Sequence, residues 1–285
     1  MHTPVLLQQA IENLNIKKDG LYIDATFGEG GYSKEILRRG GKVLGIDLDK
    51  EQLDRHSGER SDSRIVVLNN DSGQAGMTLK LIQGNFVDIE RIAKENDFFP
   101  VDGVVFDLGL SMKQIEESGR GFSYNRLDES LDMRLSSDSK LTAKDLIREL
   151  REEELYEVFA KNSEEIKSKE IAYEVKKRKR MEAVFDLIGA IDKALGFKSN
   201  STYARIFQAL RIEVNKELEN LKKGLIGAIS ILKKNRRIVI VSFHSLEDRI
   251  VKNFVRENKL RFLKKKPIRG MRSFERSAKL RTIIK

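Results

Sequence analysis

Along the first third of the chain, short apolar runs that end in an acid or a glycine-rich turn alternate with more polar stretches. Leu21-Tyr22-Ile23-Asp24 is followed by Gly28-Glu29-Gly30-Gly31, by a helix-like segment from about Ser33 to Arg39, and by Lys42-Val43-Leu44-Gly45-Ile46-Asp47. Thr78-Leu79-Lys80-Leu81-Ile82-Gln83 and Val101-Asp102-Gly103-Val104-Val105-Phe106-Asp107-Leu108 read as a third and a fourth strand. A fifth, Arg237-Ile238-Val239-Ile240-Val241-Ser242-Phe243, comes only after a long gap. Apolar strands that alternate with helices pair in parallel through crossovers, which predicts an α/β sheet.

The gap changes period. Val184, Leu187, Ile188, Ile191 and Leu195 fall on one face of a helix, and Gly196 follows as a stop. Leu155, Val158 and Phe159 keep the same spacing, as do Ile171, Ala172 and Val175. A longer helix is expected from about Tyr203 through Phe207, Leu210, Val214, Leu218 and Leu221. The pattern predicts one domain nested in another: a discontinuous sheet domain of residues 1–109 and 203–285, and an all-helical insertion of residues 110–202. His56 to Met77, rich in Ser, Gly, Asp and Asn, reads as a surface loop with room for a short hairpin around Arg64 to Leu68.

Composition narrows the chemistry. The 285 residues include no Cys, which excludes disulfides, zinc-thiolate sites, iron–sulfur clusters and a cysteine nucleophile. No run approaches the roughly 18 apolar residues of a membrane span. The start Met1-His2-Thr3-Pro4-Val5-Leu6-Leu7-Gln8 lacks the basic and apolar regions of a signal peptide, so a cytoplasmic protein with no membrane partner is expected.

Charge adds a candidate partner. Lys plus Arg (54) exceeds Asp plus Glu (44), a net charge of +10 that suits a polyanion. The excess is local: residues 259–285 hold 11 Lys or Arg against one acid, Glu275, and the rest of the chain is balanced. Lys264-Lys265-Lys266, Arg269, Arg272 and Arg276 are interleaved with Phe262 and Phe274, a mixture able to neutralise phosphates and stack on unpaired bases, although a solvated charge run looks the same. From Arg276 the chain alternates like an edge strand through Ile284, in which Lys279 and Arg281 would face solvent. Lys176-Lys177-Arg178-Lys179-Arg180, in the insertion, fits either an RNA contact or a helix-end cap.

The sharpest signal lies at the first strand-to-helix turn. Asp24-Ala25-Thr26-Phe27-Gly28-Glu29-Gly30-Gly31-Tyr32-Ser33 puts glycines where backbone can pass close to a ligand, and Asp47, ending the next strand, can accept from two ribose hydroxyls. A dinucleotide site wants a third glycine where this chain has Ser33. S-adenosylmethionine has no phosphate and needs only a loose glycine loop and an acid, so the spacing favours the methyl donor. A tight turn alone would explain the glycines; Asp47 at the right distance shifts the balance toward a cofactor.

The sequence resembles the family of 16S ribosomal RNA cytosine-N4 methyltransferases called RsmH or MraW, over nearly the whole chain. The resemblance is carried by His2-Thr3-Pro4-Val5-Leu6-Leu7, the Asp24 to Gly31 run, Asp107-Leu108-Gly109-Leu110-Ser111, Arg120-Gly121-Phe122-Ser123 with Leu131-Asp132-Met133-Arg134, Arg205 to Asn215, and Ser242-Phe243-His244-Ser245-Leu246-Glu247-Asp248-Arg249. It implies a Rossmann-like class I S-adenosylmethionine-dependent methyltransferase sheet with an inserted all-α substrate-recognition domain. It further implies that Gly30, Gly31 and Tyr32 contact the donor, Asp47 holds its ribose, Phe86 lies beside the adenine, and Asp107 and Gln114 complete the cofactor wall. The implied substrate is a cytidine in the decoding region of 16S rRNA, presented in the small ribosomal subunit; a homodimer stays open. Four features depart from the family pattern: Tyr32 replaces a typical His, Met112 replaces the second Ser of a Gly-x-Ser-Ser run, the 56–77 loop is long, and Lys161-Asn162-Ser163-Glu164-Glu165 stands for Tyr-Gly-Glu-Glu.

Methylating an exocyclic amine requires no covalent intermediate, whereas forming 5-methylcytosine commonly needs a thiolate, which this chain lacks. Asp107, at a strand's carboxyl end, is the candidate catalytic acceptor for the amine, with a turn-capping acid as the plainer reading. His244 either faces substrate or bonds to backbone, His56 reads as a loop residue, and His2 either borders the pocket or is solvated; no metal site is expected. Two other functions stay in view, a DNA amino-methyltransferase and a non-catalytic RNA-binding ribosome-assembly factor. The first ordinarily shows Asp/Asn-Pro-Pro-aromatic where this chain has Asp107-Leu108-Gly109-Leu110.

Overall fold

A computed structural model describes residues 4–49, 63–68, 77–136, 139–272 and 275–285. His2, His56 and Phe274 lie outside them. In chain order the elements are α1 (Leu7–Leu14), β1 (Leu21–Asp24), α2 (Gly31–Arg38), β2 (Lys42–Asp47), β3 (Ser63–Leu68), β4 (Met77–Gln83), a 3-10 turn (Phe86–Asp88) and α3 (Ile89–Glu95). After β5 (Val101–Asp107) come α4 (Met112–Glu116), α5 (Ala143–Glu149), α6 (Glu152–Ser163), α7 (Ser168–Lys177), α8 (Val184–Leu195), α9 (Asn200–Asn215) and α10 (Glu217–Ile231). The chain closes with β6 (Leu232–Ser242), α11 (Ser245–Glu257), β7 (Arg261–Phe262), β8 (Ile268–Arg269) and β9 (Lys279–Ile284). No helix among the described residues is long and apolar enough to cross a membrane.

The chain divides into two compact units, Met1–Gly109 with Leu218–Lys285, and Leu110–Glu217. The first is built on one sheet of order β3-β4-β2-β1-β5-β6-β9-β7, with β8 also on β9. Strands β4, β2, β1, β5 and β6 pair in parallel. Successive residues of the central strands go to opposite faces. Tyr22, Val43, Val105 and Val239 pack with α1 and α2, whereas Ile23, Leu44, Val104 and Ile238 pack with α3, α10 and α11. Helices on both faces explain why these strands read as nearly continuous apolar runs.

β3 pairs antiparallel with β4 from Ser63↔Ile82 to Leu68↔Met77, at the place expected for the short hairpin. β6 starts at Leu232, five residues before the sequence expectation. Its polar opening is neutralised locally: Lys233 and Arg236 pair with buried Asp102 at 2.6 and 2.7 Å. The closing strand is also not an edge. β9 lies between β6 and the short strands β7 and β8, and Arg281, expected in solvent, is buried in an ion pair with Asp248.

The second unit is helical around Leu155, Phe159, Ile171, Val175, Leu187, Ile191, Ile206 and Leu210. Gly196 ends α8 at φ +79°, the left-handed stop its sequence suggested. The single long helix expected from Tyr203 is two helices. Lys216 breaks it at φ +51°, and Asn215 turns its side chain to the 133–135 loop, donating to Met133 O and accepting from Leu135 N–H, each at 2.8 Å. The unit therefore extends to Glu217 and takes in α9, past the boundary at residue 202 drawn from the pattern. In the stretch that departs from the family, Glu165 pairs with Arg205 and Asn162 donates to Glu213, so these positions brace α6 and α9.

Candidate active site

Three acids end three neighbouring parallel strands. β1 closes on Asp24, β2 on Asp47 and β5 on Asp107, in the spatial order β2-β1-β5. The crossover from β1 leads to β2 on one side, and β5 flanks β1 on the other, so the topological switch point falls between Asp24 and Asp107. Ligands of open α/β sheets bind beyond the strands' carboxyl ends at such a point.

The loop between β1 and α2 is shaped for close approach. Gly28 and Gly30 have φ of +51° and +70°, where a side chain is strained. Gly28 N–H donates to Asp47 Oδ2 at 2.6 Å, and Asp49 N–H to Asp47 Oδ1 at 2.8 Å. Gly31 is required sterically, since a Cβ there would meet Pro4 Cγ at 2.0 Å. Ser33, at the third-glycine position of a dinucleotide motif, is wholly buried and donates to Asp24 Oδ2 at 2.7 Å. A side chain thus fills the space that the third glycine leaves for close helix–strand packing.

Burial sets the acids' proton affinity. It pushes Asp24 up to about 6 against the Ser33 hydrogen bond, and Asp47 up to about 6 against the N–H groups of Asp49 and Gly28. Asp107 rises to about 7, through burial first and the neighbouring Asp24 charge second. Its backbone N–H donates to Thr26 Oγ1 at 2.6 Å, which ties the ends of β1 and β5 together. Oδ1 of Asp24 and Oδ1 of Asp107 are buried with no protein partner. Folded proteins rarely leave such atoms unsatisfied, so both oxygens suit polar hydrogens of a ligand. Donor-hungry carboxylates, a glycine loop and an acid after β2, with Ser33 where a dinucleotide motif has its third glycine, fit S-adenosylmethionine better than a dinucleotide.

These features coincide with a family match over residues 1–285, to the model described as the MraW methylase family. The chain belongs to the MraW methylase family. Among its relatives, Ribosomal RNA small subunit methyltransferase H of Clostridium botulinum (strain Loch Maree / Type A3) is 40% identical over 260 residues, 88% of this chain and 80% of that one. The proteins of that name from Carboxydothermus hydrogenoformans and Mesoplasma florum are 38% and 36% identical over 263 residues, 90% of this chain and 80% and 81% of theirs.

Within this family member the remaining candidates have distinct surroundings. Tyr32 is buried, and its hydroxyl donates to Val5 O at 2.5 Å and lies beside the Asp107 carboxyl, leaving its backbone at the loop. Phe86 meets Phe106 edge-on at a centroid distance of 5.6 Å and packs so tightly on α10 that a Cβ on Gly224 would come within 2.6 Å of its ring. Gln114 belongs to the second unit, where it and Ser111 cap each other's backbone: Gln114 Oε1 accepts from Ser111 N–H at 3.0 Å. His244 takes the backbone-bonding role. It is the N-cap of α11, with Nδ1 accepting from Glu247 N–H, while Glu247 Oε2 accepts from the N–H of Phe243 at 2.8 Å.

The basic segment sorts into structural and exposed members. Arg281 stacks 5.0 Å over Phe262, occupying a face that sequence reasoning left to bases, and Lys285 Nζ caps the carbonyls of Ile229 and Leu232. Lys264, Lys265, Lys266, Arg269, Arg272 and Arg276 are exposed. Asp24, Thr26 and Val5 escaped the sequence-derived list of site residues. Only the acid ending an apolar strand could have signalled the first of them.

Proposed function

We propose that the protein transfers the methyl group of S-adenosylmethionine to the exocyclic N4 of a cytidine in the decoding region of 16S rRNA, in the small ribosomal subunit. The observation that carries this reading is the row of Asp24, Asp47 and Asp107 along the carboxyl edge beside a positive-φ glycine loop, in a chain of the MraW methylase family. Relatives named as small-subunit rRNA methyltransferases support the substrate class. When bound, S-adenosylmethionine supplies an electrophilic methyl on a sulfonium.

The rest falls to the protein's residues. The backbone of Gly30, Gly31 and Tyr32 borders the donor's amino-acid part, Asp47 accepts from its ribose hydroxyls, and Phe86 stands by the adenine. The cytosine amine is a weak nucleophile because its lone pair is delocalised into the ring. An acceptor for its N–H lets the nitrogen rehybridise, and a fixed acceptor also aims it. Asp107 Oδ1, buried and without a protein partner, serves that role. With a proton affinity near neutrality, the same oxygen takes the proton that the amine gives up. The exposed lysines and arginines between Lys259 and Arg276 meet RNA phosphates.

Titration calorimetry tests the assignment. Wild-type protein binds S-adenosylmethionine, and Asp47→Ala weakens binding by about 1–3 kcal/mol through lost hydrogen bonds to a charged acceptor. Unchanged affinity in the variant would remove Asp47 from the site.

A further inference from the structure

Apart from the sheet-edge acids, the segment Pro4–Leu6 is held at each of its three residues. Leu6 caps α1 at φ +52°, a conformation that costs energy for any residue with a Cβ. Its N–H donates to Glu275 Oε1 across a buried 3.2 Å hydrogen bond. The next carbonyl back, that of Val5, accepts from the Tyr32 hydroxyl, and Pro4 rests directly on Gly31. Three consecutive residues are thus fastened to the C-terminal segment, to the first turn of α2 and to the glycine loop.

Glu275 is the only acid of residues 259–285 and is 6% exposed. Its backbone is fixed on both sides, donating to Arg272 O at 2.9 Å and accepting from Ala278 N–H at 2.8 Å. A Cβ on Gly270 would come within 2.3 Å of its side chain. A buried carboxylate is costly unless it is hydrogen-bonded. Strained backbone persists only where its surroundings hold it, and it gathers at ligand sites. Here strain, a buried acid and a close approach to the cofactor loop meet in three residues.

We propose that Glu275 is a positioning residue for the cofactor loop: through the Leu6 N–H it holds the Pro4–Leu6 strap against Gly31 and Tyr32, and so keeps the loop in its receiving shape. The proposal rests on reading that loop as the S-adenosylmethionine site. It also gives the lone acid of the basic run a task, since Glu275 links that run to the loop.

Wild-type affinity for S-adenosylmethionine, measured by calorimetry on the full chain, tests the site by itself; its absence would sink the site reading whatever Glu275 does. With that binding in hand, Glu275→Ala should weaken it about tenfold, raise KM for the donor with kcat little changed, and speed amide exchange at Leu6. Glu275→Gln keeps an oxygen that accepts from the Leu6 N–H and should stay within about threefold of wild type. Wild-type affinity in Glu275→Ala, or Glu275→Gln as weak as Glu275→Ala, overturns the proposal. Should Glu275→Ala not fold, Pro4→Gly decides, because it lifts the ring from Gly31 without touching a hydrogen bond. A donor affinity lowered several-fold supports the strap, and wild-type affinity overturns it.

Discussion

Asp107 takes its character from its neighbours. Burial and the adjacent Asp24 carboxylate hold its proton until about 7, so near neutrality it can both accept from an amine and receive a proton. The rate of methyl transfer should therefore rise with pH through about 7 in the wild type, and Asp107→Asn should be about 10- to 100-fold slower and lose that limb. Stability carries the same signature with the opposite slope. Asp24, Asp47 and Asp107 bind protons more tightly folded than unfolded, so their contribution is complete below the ordinary carboxylate value and is lost as pH rises through about 6 to 7. Urea unfolding at pH 5 and pH 8 should show Asp107→Asn gaining on wild type by on the order of 1–3 kcal/mol at the higher pH. At this scale Asp47 and Asp107 were legible because each ends an apolar strand. The unpartnered oxygen of Asp24, the turn of Tyr32 toward Val5 and the burial of Glu275 were not, since each depends on a contact between residues far apart in the chain.

Elements were legible where period and stop signals agreed. The strands β1, β2 and β5 and the helix α8 with its Gly196 stop follow from local pattern. The break at Lys216 does not, because the apolar spacing runs on through it and the reason for the break, Asn215 bonding to Met133 and Leu135, lies about 80 residues away. The basic cluster at the end of α7 shows how one pattern serves two ends. Lys176 Nζ donates to the carbonyls of Ile147 and Leu150 at 2.8 and 2.6 Å, closing the C-terminus of α5. That is a cap of the kind a helix dipole favours. Lys176→Ala should lower the stability of the protein by about 1 kcal/mol and leave RNA affinity unchanged. Thermal unfolding beside an RNA titration checks both halves.

Across the whole molecule, charge and chemistry are divided. The residues before Lys259 are balanced, and part of the excess after it is spent internally, Arg281 on Asp248 and Lys285 on helix carbonyls. What remains for a polyanion is the exposed set from Lys259 to Arg276. Replacing Lys264, Lys265 and Lys266 with Ala should weaken RNA binding and reduce the slope of log affinity against log salt by about 2, as expected for three lost phosphate contacts on single-stranded RNA. The change of period falls where the chain passes into the second compact unit, Leu110–Glu217, which takes in α9 because that helix buries its apolar face there. The proposed product is a methyl on cytosine N4 of small-subunit RNA. Its most direct test is mass-spectrometric mapping of methylcytidine in small ribosomal subunits incubated with S-adenosylmethionine, with and without the protein. A methyl on N4 of one decoding-region cytidine, appearing only with the protein, is the result expected; no new methyl, or one on ring carbon 5, would contradict it.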